Sequence, residues 1–363
     1  MRWISSLADL VHRVLCLYTL LVYALCYWVF SSHWVAGFVM MSLPLALLLH
    51  FLIVVGGALI GARKNAFISL VMLVIAYPFW SRTYVFGKNN DENAADFRLL
   101  NYNVHQLGFQ VRNEGESSLL SHEGLQWIRD VDAEILCMQE FYQEIKKGVD
   151  LVGALENIGY KHYLVVDHQP NQKPKNKRGL AIFSKYRIFN AHQEVFDGQN
   201  GLLKGDIRIG NDTITIINVH LQSMTLNLRD LLEQRKVNGI KTESQKTFTR
   251  IKYGFEQRDV QIRILEDLVK QAKYPVIVCG DFNEVPYSYS YGRLSKLLKN
   301  SFESGGKGFG FSYNRLPYFI RIDNQFYDSN KIKLNNFETI RTVNFSDHFP
   351  LMGDYSLIQK PID

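Results

Sequence analysis

The sequence predicts an α/β domain behind an N-terminal membrane anchor. Three observations carry that prediction. Six short strand-like runs end in polar side chains, charged helical stretches separate several of them, and most of the apolar excess lies before residue 86. The strongest run is Tyr274-Pro-Val-Ile-Val-Cys-Gly-Asp-Phe-Asn283. Val276–Cys279 is short, apolar and β-branched after a proline, the pattern of a buried strand. Gly280 ends it. Asp281 and Asn283 then stand at the carboxyl end, where open α/β sheets bind ligands. Two residues apart, they face one cleft if the extended geometry persists. An ordinary Asx turn fits the same residues, so the pair is informative only together with the other strand ends.

The 363 residues suffice for one large domain and a smaller unit. A net charge of +6 is compatible with an anionic substrate or surface. The four cysteines, Cys16, Cys26, Cys137 and Cys279, show neither the spacing of a zinc site nor that of a disulfide framework, and they read as packing residues.

The anchor is read from uncharged runs. Val14–Phe30 and Trp34–Ile60 are each long enough to cross a bilayer, which takes about 20 apolar residues. A third run, Ala66–Trp80, reaches that length only if it continues past Ser81 and Arg82 to Phe86, with Arg82 snorkelling. The expectation is thus a multi-pass anchor over residues 1–86, with spans at about 14–30, 34–60 and 66–86. A cleaved signal peptide fits poorly, since two apolar runs follow the first. Arg2, Arg13, Arg63 and Lys64 share one side and outnumber Arg82 and Lys88 on the other. This places the N-terminus in the cytoplasm and the large domain outside it, facing the periplasm in a Gram-negative cell. Residues 87–95 are polar and aperiodic, a linker, and 96–363 form the large domain.

Along that domain, Phe97–Asn103 reads as a strand and 117–130 as a helix. Ala133–Met138 is a strand followed by Gln139-Glu140. Val149–Ile158 is helical, and Tyr163–Val166 and Gly179–Ser184 are strands. From His168 to Gln193 there is no Asp or Glu, while Lys173, Lys175, Lys177, Arg178, Lys185 and Arg187 accumulate. Such a loop meets phosphates or an anionic membrane, or is simply solvated. Gly205–Ile209 and Thr213–Val219 form a hairpin running out at His220. Residues 225–273 are mostly helical. Tyr287, Tyr289 and Tyr291 stack on a base, face lipid or pack internally. Phe302–Phe311 is glycine-rich and reads as a mobile loop. Phe319–Asp323 is a strand delivering an aspartate, Phe337–Val343 another, and Ser346-Asp-His348 precedes the last.

Asn103, Glu140, His220, Asp281 with Asn283, Asp323, and Asp347 with His348 thus end or follow strands. Carboxylate and amide oxygens suit a hard cation such as Mg²⁺ or Mn²⁺. Histidines and an amide suit an anion whose charge grows during reaction. Together these are the means of hydrolysing a phosphate ester.

Asn103 in Leu-Asn-Tyr-Asn, Gln139-Glu140, Asn218-Val-His220, Gly280-Asp-Phe-Asn283, Arg321-Ile-Asp323 and Ser346-Asp-His348 occur in the order seen in the endonuclease/exonuclease/phosphatase family, which the chain resembles over about residues 97–357. The resemblance implies a four-layered sandwich of two mixed β-sheets flanked by helices, and a metal-dependent phosphoesterase. It implies Glu140 as principal metal ligand with Asn103 and Asp347 beside it. Asp281 activates the attacking water and Asn283 holds a phosphoryl oxygen. His348, positioned by Asp323, and His220 stabilise the phosphorane. His105 departs from the pattern, since many nuclease members carry an acidic residue there. Members of this family act on nucleic acids, inositol phosphates and sphingolipid head groups, and the fold does not choose among them. The anchor favours a lipid or other phosphate ester, the basic run and tyrosines a nuclease, and a catalytically inactive binding module is the third alternative.

Overall fold

The computed structural model describes residues 2–87, 95–108, 114–223, 237–315 and 318–358. The expected linker lies almost entirely outside them. In chain order the strands are β1 Tyr84–Val85, β2 Phe97–Asn103, β3 Ile135–Glu144, β4 His162–Val165, β5 Asn176–Ser184, β6 Ile188–Val195, β7 Gly201–Ile209, β8 Asp212–His220, β9 Val276–Asp281, β10 Lys299–Asn300, β11 Gly308–Phe309, β12 Asp323–Tyr327, β13 Ile332–Thr339 and β14 Leu351–Leu357.

Apart from the small β1–β11 ribbon, they form two six-stranded sheets, ordered β13-β14-β2-β3-β5-β4 and β10-β12-β9-β8-β7-β6. Each has one parallel pair at its centre, β2 with β3 and β8 with β9, and antiparallel neighbours elsewhere. The sheets pack face to face over Leu99, Ile135, Cys137, Ile182, Ile216, Ile277 and Cys279. Helices α6 (Glu114–Val131) and α7 (Leu151–Asn157) cover the first sheet through Ile128, Leu151 and Leu155. Helices α8 (Val237–Lys270) and α9 (Tyr289–Leu294) cover the second through Ile262, Leu265, Tyr291 and Leu294. The expected four-layered sandwich is observed.

Side-chain alternation explains where the polar residues go. In β2, Phe97 and Leu99 face the other sheet, so Asn101 and Asn103 share their parity. In β8, Ile214 and Ile216 set the parity of Asn218 and His220; in β9, Ile277 and Cys279 set that of Asp281. The interior face is apolar along its length and polar at one rim.

Several expected boundaries move. The strand expected to stop at Met138 runs on to Glu144, with a bulge: Met138 pairs Ala181 and Phe141 pairs Gly179, so Gln139 and Glu140 together oppose one residue. Glu140 takes φ 51°, an uncommon angle for a residue with a side chain. The strand expected over 319–323 instead begins at Asp323, and that expected over 337–343 is β13, ending at Thr339. Being antiparallel, β12 brings its first residue to the rim where β9 ends, with Asp323 paired to Asp281. The glycine-rich segment is not simply a loop. It contains helix α10 (Ser301–Gly305) and β11, paired with β1.

The N-terminal region folds as α1 Arg2–Trp28, α2 Trp34–Met41, α3 Leu43–Ile60, α4 Arg63–Ile75 and α5 Tyr77–Trp80. Two stretches, Leu7–Trp28 and Trp34–Ile60, are long and apolar enough to cross a membrane. The expected third span, 66–86, is not one. Its helix breaks at Ala76, just before Pro78, and the chain is strand by Tyr84. The 13 residues of α4 reach only about 20 Å at 1.5 Å per residue. Leu10, Val14, Leu17, Phe51, Leu52, Leu59, Phe67 and Val74 are exposed around the bundle, an apolar surface larger than scattered single residues make.

The bundle stands on the sandwich. Val29 packs with Leu202, Tyr291 and Leu294, Gly37 lies against Phe255, and Phe79 packs with Tyr287. The three tyrosines Tyr287, Tyr289 and Tyr291 are buried in this junction, which settles them as packing residues.

Gly280 makes the site-bearing strand possible. It holds φ +148°, and a Cβ there would stand 1.9 Å from the Val219 carbonyl oxygen of the paired strand. Gly280→Ala is expected to lower stability by about 3 kcal/mol, the upper range for backbone strain. A shift in the urea midpoint of the full chain in detergent measures it. An unchanged midpoint would show that β8 and β9 separate without penalty.

Candidate functional site

The carboxyl ends of β2, β8 and β9, the bulge of β3 and the segments leading into β12 and β14 meet at one rim, and the candidate catalytic and metal-ligating residues read from the sequence arrive there. Asn103, Asp281, Asp323, His348 and His220 are nearly inaccessible, whereas Glu140 and Asp347 are about one-fifth exposed.

Asp281 is the centre. Its Oδ1 accepts from the Asn283 backbone N–H at 2.8 Å, and its Oδ2 from Asn103 Nδ2 at 3.0 Å. The Nε2 atoms of His220 and His348 face Oδ2 at 3.7 and 3.8 Å. Burial first, and the Asp323 charge second, push the Asp281 carboxyl above its ordinary range, against the pull of both histidines. His348 Nδ1 lies 2.7 Å from Asp323 Oδ2, which fixes the ring with Nε2 turned toward Asp281. Burial opposes charge on His348, but Asp323 and Asp281 outweigh it and lift its pKa to about 10. Ser312 Oγ receives the backbone N–H groups of Ile322 and Asp323, and Tyr313 stacks edge-on to the His348 ring.

Beside this group lies an oxygen-rich cluster. Glu140 Oε1 accepts from Asn103 Nδ2 at 3.3 Å, and Oε2 lies 3.1 Å from His105 Nδ1. Asp347 Oδ1 approaches the same nitrogen at 3.7 Å. Burial disfavours charge on Glu140, yet the hydrogen bond from His105 and the nearby His220 prevail and hold its carboxyl at about 2. The Glu140 hydrogen bond raises the His105 pKa in turn, more than burial lowers it. Two carboxylates converging on one protonatable ring mark a place that calls for positive charge. The donor set there, the oxygens of Asn103, Glu140 and Asp347, fits a hard divalent cation. Asp281, Asp323 and His348 also lie close enough to share an ion. That His348 is already committed to Asp323 argues for the first set.

Asn283 sits at φ 50°, a conformation asparagine tolerates. Its Nδ2 donates to the Leu221 carbonyl at 2.9 Å, leaving the second amide hydrogen for a ligand.

Other contributors had no isolated sequence signal. Ser346 Oγ donates to the Asn103 carbonyl at 2.7 Å and accepts from the His348 N–H, joining β2 to the Asp347-His348 corner. Arg258, wholly buried on α8, faces Glu284 at 3.4 Å and donates to the Gln222 carbonyl at 2.6 Å. In the charged stretch 225–273 it resembled any solvated arginine.

Half of the basic run is paired with carboxylates from neighbouring segments. Lys173 and Lys185 each lie 2.6 Å from Asp150 and Asp132, Lys177 pairs with Asp167, and Arg178 stacks on Tyr142. Lys177 and Arg178 belong to β5 rather than to a loop.

Comparison with known proteins bears on the family and the fold. The sequence model described as "Endonuclease/Exonuclease/phosphatase family" matches residues 125–348, and one described as a domain of unknown function matches 6–83. Human protein angel homolog 2 is 24% identical over 248 residues, 60% of this chain and 41% of that protein, so the chain spans less than half of this relative. A humanised D. rerio TDP2 with 14 mutations superposes with TM-score 0.52 at 13% identity, covering 72% of this chain and 98% of that one. The human Nocturnin catalytic domain with bound sulfate gives 0.49 at 17%, covering 72% and 94%. At these identities the structural likeness speaks for the fold alone. The sequence match runs through most of the rim residues and over more than half of the chain, and the protein belongs to the endonuclease/exonuclease/phosphatase family.

Proposed function

We propose that this protein is a membrane-anchored phosphoesterase that uses Mg²⁺ or Mn²⁺ and an activated water to hydrolyse a phosphate ester presented at the membrane surface. One observation carries the membrane part of the reading. The loop after Asp281 and Asn283 is the loop that grips the anchor. Tyr287 packs among Val22, Leu25, Met40 and Phe79, and the Pro286 carbonyl accepts from Arg82 at 3.1 Å. Six residue steps lead from Asp281 to Tyr287, at most about 21 Å. A site tethered so near the bilayer meets head groups constantly. The pairing of Lys173, Lys177 and Lys185 with carboxylates weakens the support for a polynucleotide track, and the nuclease reading ranks below the lipid one.

In the proposed chemistry, Asp281 orients the water and takes its proton, a task suited to a carboxylate of raised basicity. His348, held protonated by Asp323, donates from Nε2 to the phosphoryl oxygen that gains charge. His220 Nε2 donates from the opposite side, and Asn283 holds a further oxygen. Asn103, Glu140 and Asp347 would hold the cation, which supplies charge neutralisation and polarises the phosphoryl group. The intact polar set argues against an inactive binding module. With two spans in place of three, the N-terminus, Arg63, Lys64 and the catalytic domain share one face of the membrane, so the opposite placement expected from the Lys/Arg bias does not carry over.

Three outcomes are expected. Asp323→Asn lowers kcat by about 10²–10⁴ without loss of fold, the range for a positioned acid–base group, in single-turnover assays. Glu140→Gln raises the Mg²⁺ concentration needed for half-maximal rate at least about 10-fold, and excess chelator abolishes turnover. With full-length protein in mixed vesicles, phosphodiester lipids are cleaved faster than oligonucleotides or soluble inositol phosphates. The reverse preference would overturn the lipid reading, and turnover in excess chelator the metal-dependent one.

A further inference from the structure

The interior of the N-terminal bundle contains a second constellation, remote in sequence from the rim. His12 and Cys16 stand one turn apart on α1, His50 faces them from α3 and Ser69 from α4. His12, His50 and Ser69 are buried and Cys16 is half-buried. Ser69 Oγ lies 2.9 Å from His12 Nε2 and 3.0 Å from His50 Nδ1, and Cys16 Sγ lies 3.6 Å from His12 Nε2. One nitrogen of each histidine and the sulfur all fall within 4.8 Å of one another. The sequence spacing of the cysteines gave no hint of this, because the ligand set is assembled from separate helices.

The hydrogen bonds fix one ring. Thr19 Oγ1 donates its only proton to the Leu15 carbonyl at 2.8 Å, so at 3.1 Å from His50 Nε2 it can only accept. Neutral His50 therefore carries its proton on Nε2, and its bare lone pair on Nδ1 points into the cluster. Metal-bound histidines are oriented in this way, with the second nitrogen donating to a fixed acceptor. Ser69 has one proton to share between two ring nitrogens. A helix clamp needs no more than hydroxyls or amides. Two imidazoles and a thiol at ligand spacing are instead the donors of a thiophilic cation. Metal–nitrogen and metal–sulfur bonds of tetrahedral zinc set those atoms about 3.5 Å apart; Cys16 Sγ and His12 Nε2 stand 3.6 Å apart here, and all three atoms fall within 4.8 Å.

We propose that the bundle binds one borderline-soft d¹⁰ cation, Zn²⁺ or Cu⁺, through His12 Nε2, His50 Nδ1 and the Cys16 thiolate, with the Ser69 hydroxyl as the fourth neighbour. Binding releases the thiol proton. The thiolate balances a Cu⁺ ion fully and half of a Zn²⁺ charge, which lowers the cost of holding the ion among apolar helices. The ion cross-links α1 and α3, and through Ser69 α4.

Full-length protein in detergent, stripped with chelator, is titrated with Co²⁺ as a visible probe and then with Zn²⁺; Cu⁺ is offered from a chelator of known affinity. The expected result is one equivalent of Co²⁺ with a thiolate charge-transfer band and tetrahedral d–d bands, displaced by Zn²⁺ or Cu⁺. Cys16→Ser, nearly isosteric, removes the band and weakens Zn²⁺ binding at least about 10-fold. Glu140→Gln leaves the band unchanged, which separates this site from the rim. Absence of the thiolate band in the wild type, or binding indifferent to Cys16→Ser, would overturn the proposal and leave a hydrogen-bonded helix clamp.

Discussion

A hydrogen bond inside a dry sandwich has no water to replace it, and the bonds of the Gln139 amide hold the two sheets in place. Its Nε2 donates to Asn101 Oδ1 at 2.8 Å within its own sheet and to Asn218 Oδ1 at 2.6 Å in the opposite one. Asn218 returns both amide hydrogens to the Met138 and Ala181 carbonyls at 2.9 Å. Gln325 repeats the device, donating to the Leu351 carbonyl at 2.9 Å and accepting from Tyr355. Apolar packing alone lets two sheets slide with little change in buried area. These directional bonds do not, and the Asn103–Asp281 contact between the sheets depends on them.

Much of the site was legible because interior alternation leaves a signature. A polar residue continuing an inward apolar series has to lie at a rim or be paired, which is why Asn103, His220 and Asp281 stood out. Asp323 and the Asp347-His348 corner were legible as residues but not as geometry. A strand read alone does not reveal whether it arrives at the rim or leaves it, and Asp323 was placed at the wrong end of its strand. The bulge at Gln139-Glu140 was hidden because it contains no glycine to announce a turn. Arg258 and Ser312 act through tertiary neighbours that carry no local pattern. In the anchor, hydropathy found the apolar runs but overestimated the third, since Pro78 and the docking of Arg82 act against its continuation.

The junction between the N-terminal bundle and the sandwich adds polar fastenings to its apolar packing. Arg321 Nη2 donates to the Arg82 carbonyl at 2.9 Å and to Tyr291 Oη at 3.2 Å, and Ser81 donates to Glu303 at 2.8 Å. Arg321 is also two residues from Asp323. The two site-bearing segments, 281–287 and 321–323, are thus both fastened to the chain leaving the helices. Tilting the bundle would be felt at His348 through Asp323.

The β3 bulge gives Glu140 an unusual standing. Before it, Ile135 and Cys137 face the other sheet; after it, Phe141 lies in the outer core, and Gln143 bonds Asp150 and the Val152 N–H beside α7. Strict alternation from Gln139 would place the very next residue outward. A chain lacking Glu140 would therefore set Phe141 and Gln143 where they already are and pair β3 with β5 without interruption. The strand pairing of the sheet makes no use of this carboxylate, whose contacts are with Asn103 and His105 at the rim. A lineage that abandoned hydrolysis could shed the residue by a single-codon deletion and gain a more regular strand in return.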